Sequence, residues 1–521
     1  MNTRPLALTF IAIIAATTMT GCSGGAGPSQ PNMPAPQPPA GAATEGAAPT
    51  NQDWRNKTMN PQEEYDNSAE TPFKDVSTSP LSTFSSDVDT ASYSNMRRQI
   101  SMGQAPQGVR IEELVNYFDY NYPAPPKGAE DPFSVTAEVA ACPWAPEHQL
   151  AMIGVQATRT VPTNAGNNIV FLIDVSGSMS AENKLPLLAQ SFSLLVDKLT
   201  KKDVVSIVTY AGSNRIAADS VPGSNHTLLH SVLDDLTAGG STGGAAGLQT
   251  AYDLARKNFI AEGNNRIILA TDGDFNVGQS TVEQLTNLIE TERASGVYIS
   301  VLGFGMGNLK DNMMESIADH GNGNYAYIDT LNEARKVLVN QFDSTMFVVA
   351  QDLKLQVEFN GATVQQYRLI GYDNRRLENE DFSNDAKDAG DVGAGHSVTA
   401  FYELVPASGT PAVDKSKYRT TTTGTSSDYF TVSVRYKTPG ENTSKLVETP
   451  VTKDAWTATP SADFRFGSAV TEFGLILIDS QYKQHASLAD VLRIGAGAQG
   501  EDPFELRHEF LTLVDAYSQL G

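Results

Sequence analysis

Short apolar runs alternate with amphipathic stretches through the middle of the chain, between residues 167 and 342. The apolar runs have the length of strands and lie at residues 168–174, 203–210, 215–221, 266–272, 297–304 and 324–329. The stretches with helical periodicity lie at residues 184–200, 226–236, 244–259, 281–294, 310–319 and 331–341. This alternation predicts an α/β fold, a doubly wound and mostly parallel sheet with helices on both faces.

The flanking sequence has a different pattern, in which strand-like runs follow one another with turns between them. These runs lie before the α/β stretch, at 133–141 and 149–157, and after it, at 347–359, 364–372, 397–405 and 429–437. We expect all of them to form one β-sandwich into which the α/β domain is inserted. The same spacing also fits two separate β units.

Helices are predicted at both ends of the folded sequence. Asp89 has the residue type of an N-cap for a helix that extends to about Met102, and a short helix follows at residues 111–118. Asp87 and Asp89 could instead be metal ligands, but helix capping is the simpler explanation. Residues 463–520 have the periodicity of about three helices.

The first residues have the features of an export signal. Arg4 is followed by an apolar stretch from Leu6 to Ala16, which is too short to span a membrane, and then by Met19-Thr-Gly-Cys22. This order resembles a bacterial lipoprotein signal peptide, which implies cleavage before Cys22 and attachment of lipid to that cysteine. We therefore expect a lipid-anchored protein of the cell envelope, and Ser23 favours the outer membrane.

Composition and periodicity together divide the chain into segments. Residues that follow Cys22 are mostly Pro, Gly, Ala and Ser, which is typical of a flexible tether. The expected segments are a lipoprotein signal peptide at 1–21, a disordered tether at 22–80, an N-terminal region of helices and two strands at 81–165, the α/β domain at 166–345, a β-rich domain at 346–460 and a C-terminal helical region at 461–521.

Oxygen-bearing side chains follow the first apolar run of the α/β domain. Asp174 ends that run, and Ser176 and Ser178 come after it at alternate positions. We expect these side chains to converge at the carboxyl end of the strand, where oxygen ligands suit a hard divalent cation. Thr242, in a glycine-rich segment, and Asp272, at the end of another apolar run, complete the pattern. Together the five residues resemble the metal-ion-dependent adhesion site of von Willebrand factor type A (VWA) domains.

The resemblance implies a role for each of these residues. Ser176 and Ser178 would bind Mg²⁺ or Mn²⁺ directly, Asp174 and Asp272 would act largely through water, and Thr242 would bind directly or through water. Because few of the directly bound ligands are charged, the ion would stay electrophilic and accept a carboxylate from a protein partner.

Segments outside the α/β domain extend the resemblance over residues 82–520. They lie at residues 82–93, 109–120, 367–375, 388–396 and 466–474. These segments resemble bacterial VWA-domain lipoproteins of the YfbK-like family.

Charge and cysteine content limit the classes of partner. The chain has 37 Lys and Arg against 60 Asp and Glu, a formal charge of −23, which argues against nucleic acid and anionic lipid as direct partners. Its two cysteines are Cys22 and Cys142. If Cys22 carries lipid, Cys142 has no partner for a disulfide bond and is expected to be a buried structural thiol.

Several other motifs match the sequence less well. Residues 239–243 fit the GxSxG pattern of hydrolases, but a helical segment precedes them instead of a strand. Residues 495–500 fit GxGxxG, yet they also follow a helix-like run. The remaining matches are a calcium-loop spacing, with Val277 where glycine is needed, and a histidine pair on one helix face: Asp272, Asp274, Asn276 and Glu283; His226, His230 and Asp234.

The sequence thus predicts a lipid-anchored, non-enzymatic protein that binds an acidic residue of a protein partner through Mg²⁺ or Mn²⁺. Membrane contact would occur through the lipid. Three alternatives stay open: an envelope scaffold with a structural ion, an assembly factor whose site binds an acidic segment of its own chain, and a metal-assisted hydrolase. A general base beside the ion would favour the hydrolase, but the ligand motifs contain no His or Glu.

Overall fold

The structure, a computed structural model, describes residue 65 and residues 69–160, 166–241, 244–273, 282–306, 309–407 and 427–520. All of them belong to the unit formed by residues Asn51–Gly521. The proposed signal peptide, Cys22 and most of the proposed tether lie outside the described residues.

The strands are numbered in chain order. They are β1 (Lys74–Asp75), β2 (Leu81–Ser85), β3 (Phe133–Cys142), β4 (Ala145–Ala157), β5 (Asn167–Asp174), β6 (Val204–Tyr210), β7 (Asn214–Pro222), β8 (Asn264–Thr271), β9 (Tyr298–Phe304), β10 (Tyr325–Ile328), β11 (Val348–Phe359), β12 (Val364–Ile370), β13 (Gly390–Gly393), β14 (Ser397–Pro406), β15 (Phe430–Lys437) and β16 (Lys445–Val451).

The helices are numbered in the same way. They are α1 (Ala91–Ser101), α2 (Ile111–Asn116), α3 (Leu185–Val196), α4 (His226–Asp234), α5 (Gly244–Lys257), α6 (Val282–Ala294), α7 (Asp311–His320), α8 (Leu331–Arg335), α9 (Phe342–Met346), α10 (Ala462–Leu477), α11 (Leu488–Ala496) and α12 (Leu506–Ser518). A π-helical turn at Lys336–Asn340 joins α8 to the residues before α9, so the helix predicted at 331–341 is not regular.

The central sheet has the order β10-β9-β8-β5-β6-β7. Its strands are parallel except for the edge strand β7, which pairs antiparallel with β6. Alternate residues of β5 enter two different hydrophobic clusters, with Phe171 in one and Leu172 in the other. Both faces of the sheet are therefore covered, which confirms the predicted doubly wound α/β fold.

The flanking strands form two antiparallel sheets, β1-β12-β14-β4-β3 and β13-β11-β15-β16, and β2 also pairs with β11. One hydrophobic core lies between them and contains Val155 and Tyr402 from the first sheet and Val357 and Val434 from the second. Strands β3 and β4 thus join strands that follow the α/β domain. The prediction of one sandwich with an inserted domain is confirmed, and two separate β units are excluded.

Folded structure begins earlier than the predicted boundary of the tether at residue 80. Lys74 and Asp75 form β1, which pairs with Tyr367 and Gln366 of β12. Thr71 donates a hydrogen bond of 2.7 Å to the Asp373 carboxylate. A polar segment held by backbone pairing has no apolar periodicity, so the hydrophobic pattern could not reveal it.

The predicted helices at both ends are present. Helices α10, α11 and α12 pack with α1 and α2 in a cluster that includes Tyr117, Trp144, Phe466, Phe473 and Phe510. Among the described residues, no helix combines the length and the apolar character of a membrane span.

Asp89 does not have the predicted capping role. The N-cap of α1 is Thr90, whose side chain makes no capping hydrogen bond, and the Ser92 amide in the first turn donates to the Glu113 carboxylate at 2.8 Å. Asp89 instead accepts a hydrogen bond of 2.8 Å from the Tyr325 amide of β10 and lies 3.4 Å from Nη2 of Arg375. Asp89 therefore contacts residues far away in the chain instead of capping α1.

Candidate functional site

The site lies where the order of strands in the central sheet changes direction. From β5 the chain continues to β6 and β7 on one side, and then returns to β8 and β9 on the other side. Asp174 is the last residue of β5, and Asp272 directly follows β8. Ligands of open α/β sheets bind at such a switch point, beyond the carboxyl ends of the strands.

Asp174 is fully buried and is held by local hydrogen bonds. Its Oδ1 accepts from the Ser176 amide at 2.8 Å, and its Oδ2 accepts from the Thr271 hydroxyl at 3.4 Å. Burial and the nearby charge of Asp272 raise the pKa of Asp174, the hydrogen bonds from Ser176 and Thr271 lower it, and the net result is a pKa of about 6. Two ionised carboxylates without a nearby cation are therefore unfavourable in this site.

Two serine hydroxyls lie beside this carboxylate. Ser176 is buried, Ser178 is exposed in the short 3₁₀ turn Gly177–Ser180, and their Oγ atoms are 3.0 Å apart. The Gly177 amide donates to the Gly240 carbonyl at 3.1 Å, which ties this turn to the glycine-rich segment that precedes Thr242. Thr242 itself lies outside the described residues.

Asp272 is buried and forms an ion pair with a residue that no motif in the sequence indicates. Lys184 Nζ lies 2.8 Å from Asp272 Oδ2, and Lys184 is itself only 8% exposed. In the sequence Lys184 stands just before the apolar helix α3, where a lysine normally faces solvent. No sequence pattern distinguishes it from the surface lysines, so only the tertiary structure reveals its position.

The donor set fits a small divalent cation. It consists of oxygen atoms from two carboxylates and two hydroxyls. Adjacent ligands of an octahedral ion with bonds of about 2.1 Å are roughly 3 Å apart, and those of Ca²⁺ are several tenths of an ångström further apart. The Ser176 and Ser178 Oγ atoms share a hydrogen bond of 3.0 Å, a separation compatible with adjacent ligands of Mg²⁺ or Mn²⁺.

The competing motifs do not form sites in the described residues. The His226 ring contacts the Leu199 carbonyl at 3.0 Å, whereas the His230 ring contacts Asp197 at 2.9 Å, so the two histidines have separate partners. Gly495 lies within α11 and packs against Leu511, which excludes a phosphate-binding turn after a strand. The GxSxG match and the calcium-loop match extend into residues outside the described ranges.

Cys142 is a buried free thiol in β3. Burial raises its pKa well above the usual range, so the thiol stays protonated and unreactive at neutral pH. This agrees with the structural role predicted from the sequence.

Comparison with known proteins first defines the class. The family model of the von Willebrand factor type A domain matches residues 168–341, and a second model, described as von Willebrand factor, matches residues 59–152. The fold and the match together define a VWA-domain protein.

The comparisons then define the family. The model described as "Uncharacterized protein YfbK, C-terminal" matches residues 344–520. "Uncharacterized protein YfbK" of Escherichia coli (strain K12) is 42% identical over 465 residues, which cover 87% of this chain and 80% of that protein. The chain therefore belongs to the YfbK family of VWA-domain proteins.

More distant similarities are confined to shorter regions or to low identity. Inter-alpha-trypsin inhibitor heavy chain H3 of Mesocricetus auratus is 27% identical over 173 residues, which cover 31% of this chain and 19% of that protein. A solved structure, von Willebrand factor type A from Catenulispora acidiphila, has a TM-score of 0.42 and 16% identity, and covers 75% of this chain and 91% of that chain.

Proposed function

We propose that this protein binds a protein partner through a divalent ion, Mg²⁺ or Mn²⁺, held at the carboxyl end of its central sheet. Asp174, Ser176, Ser178 and Asp272 would hold the ion, together with Thr242. The bound ion would supply an electrophilic centre for an acidic side chain of the partner. The proposal rests chiefly on one observation, the two hydroxyl oxygens 3.0 Å apart beside the buried Asp174 carboxylate.

A binding role suits the described contacts of the site better than a hydrolytic one. Among the described residues, the contacts of Asp174 include the Ser176 amide and the hydroxyls of Thr271 and Tyr210. None of these groups is a general base, which a metal-assisted hydrolase would need beside its ion. We therefore propose a non-enzymatic adhesion or scaffolding protein.

We further propose that the protein is exported and anchored to the cell envelope, in the outer membrane, by lipid on Cys22. The lipoprotein-like sequence Met19-Thr-Gly-Cys22 supports this proposal. Fatty-acid labelling of the Cys22→Ser variant tests it, since labelling as strong as that of the wild type would contradict lipidation of this cysteine.

Calorimetric titration with Mn²⁺ tests the ion site. We expect the wild-type chain to bind and Asp174→Asn to lose binding, because the amide retains the acceptor for Ser176 but not the charge. In EDTA the melting temperature of Asp174→Asn should be no lower than that of the wild type, because the substitution removes a buried carboxylate whose pKa is raised. Unchanged Mn²⁺ binding by Asp174→Asn would exclude the assigned site.

Removal of the ion with EDTA then distinguishes a role of the ion in adhesion from a purely structural role. For adhesion, EDTA should release a partner captured from cell envelopes while the melting temperature changes little. A structural ion gives the opposite result, a lowered melting temperature with the partner retained.

A further inference from the structure

The Lys184 side chain passes over Gly305, where the absence of a Cβ leaves room for it. Lys184 is the residue directly before α3, and its side chain extends across the backbone of Gly305, at the end of β9. Gly305 has a φ of +74°, and a Cβ at this position would overlap the Lys184 side chain. The Tyr327 hydroxyl donates to the Gly305 carbonyl at 2.5 Å and fixes this backbone. The path of the lysine to Asp272 is thus built into the fold.

The ion pair changes the charge that a divalent ion would encounter. Asp174 and Asp272 are both buried, and the Lys184 ammonium lies 2.8 Å from one of them. One ammonium among two carboxylates leaves one net negative charge, so the lysine weakens the attraction for a second cation. Coulomb energies at such distances are large enough to change an affinity by an order of magnitude or more.

The residue type also matters. Lysine has a single ammonium on a flexible four-carbon stem, whereas arginine holds carboxylates with a planar fork of donors. An ammonium can move away from Asp272 without breaking several directed hydrogen bonds at once. A lysine therefore suits a carboxylate that pairs with the ammonium before the divalent ion binds and with the ion afterwards.

We propose that Lys184 is the site's own counter-ion, which competes with the divalent ion for Asp272 and stabilises that carboxylate before the ion binds. This inference rests on the proposed function of the site. It makes Lys184 a residue that sets the ion affinity, although it is not itself a ligand.

Mn²⁺ affinity of Lys184→Met tests the inference. Methionine keeps an unbranched apolar chain against Gly305 but removes the charge, so we expect Mn²⁺ to bind at least about tenfold more tightly than to the wild type. Lys184→Gln should show the same direction of change. In EDTA both variants should melt at a lower temperature than the wild type, because Asp272 has lost its counter-ion. Chelator competition from the Mn²⁺-loaded protein gives the affinity even if the ion-free variants unfold.

The matched control is Lys257→Met. Lys257 also forms a lysine–aspartate pair, with Nζ 2.8 Å from Asp219 Oδ1, but both side chains are about half exposed. We expect its Mn²⁺ affinity to equal that of the wild type. Equal or weaker binding by both Lys184 variants, with a wild type that binds, would overturn the role of Lys184 alone. Failure of the wild type and of both variants to bind would overturn the ion site as well.

Discussion

Two of the regions in which this molecule buries carboxylates compensate the negative charge in different ways. At the junction between the N-terminal helices and the central domain, Arg110 contacts Glu113, Asp311 and Glu315, with 2.7 Å between its Nη1 and Asp311 Oδ2. At the end of the central sheet, Asp174 meets an amide and a hydroxyl, and Asp272 meets a lysine. We call the Arg110 cluster the arginine junction.

The difference separates a structural use of buried charge from a proposed binding use. Arg110 comes directly before α2, while Asp311 and Glu315 lie in α7, so the junction connects elements about 200 residues apart in the chain. A guanidinium keeps its charge and holds several acceptors at once, which suits a permanent connection. A backbone amide, a threonine hydroxyl and a single ammonium hold their carboxylates less rigidly, which suits a site that accepts an ion.

The largest effect should come from removing the junction arginine. Arg110→Met leaves the carboxylates of Glu113, Asp311 and Glu315 buried without this cation, and we expect the free energy of unfolding to fall by about 3–5 kcal/mol. Urea denaturation followed by circular dichroism measures the loss.

Arg493→Met is the matched control. Its Nη2 lies 2.7 Å from Asp490 Oδ1, but the side chains are 70% and 43% exposed, so we expect a loss of less than about 1 kcal/mol. An equally small loss for Arg110→Met would contradict a structural role of the junction.

A smaller and different effect is expected at the site. Ser178→Ala removes an exposed hydroxyl that we assign as an ion ligand, so Mn²⁺ binding should weaken about tenfold or more while stability changes by less than about 0.5 kcal/mol. Ser180→Ala is the control, since Ser180 is also exposed and ends the same 3₁₀ turn. Equal Mn²⁺ affinities of the two variants would remove Ser178 from the ligand set.

The smallest effect concerns a buried carboxylate that belongs to neither region. Glu472 in α10 accepts a hydrogen bond of 3.0 Å from the Ser487 amide, and among the described residues its Oε2 has no hydrogen-bond partner. Burial raises the pKa of Glu472 to about 7. The folded state therefore favours the protonated form, and the resulting stability is present below about pH 4 and is lost as the pH rises through 7.

Glu472→Gln should remove this pH-dependent contribution to the free energy of unfolding. Between pH 5 and pH 8 the wild type should lose on the order of 1 kcal/mol more stability than the variant. Denaturation curves at several pH values measure the difference. Parallel pH profiles for the two proteins would show that Glu472 does not titrate in this range.

The architecture was largely predictable because it depends on periodicity. Alternating apolar and amphipathic stretches in the middle of the chain predicted the central sheet, and strand-like runs on either side of it predicted the sandwich. Strand β1 was missed because Lys74 and Asp75 pair through the backbone and carry no apolar signal. Asp89 was misassigned because a local capping pattern cannot show that Tyr325 and Arg375, far away in the chain, are its partners.

The residue types of the candidate site could be predicted from local spacing, because Asp174, Ser176 and Ser178 lie at the end of one strand at alternate positions. Their surroundings could not be predicted in this way. Lys184 and Asp272 are 88 positions apart, and their contact depends on how α3, β8 and the Gly305 backbone pack together. Spacing along one strand is a local property, whereas the counter-ion of a buried carboxylate depends on how distant elements of the chain pack together.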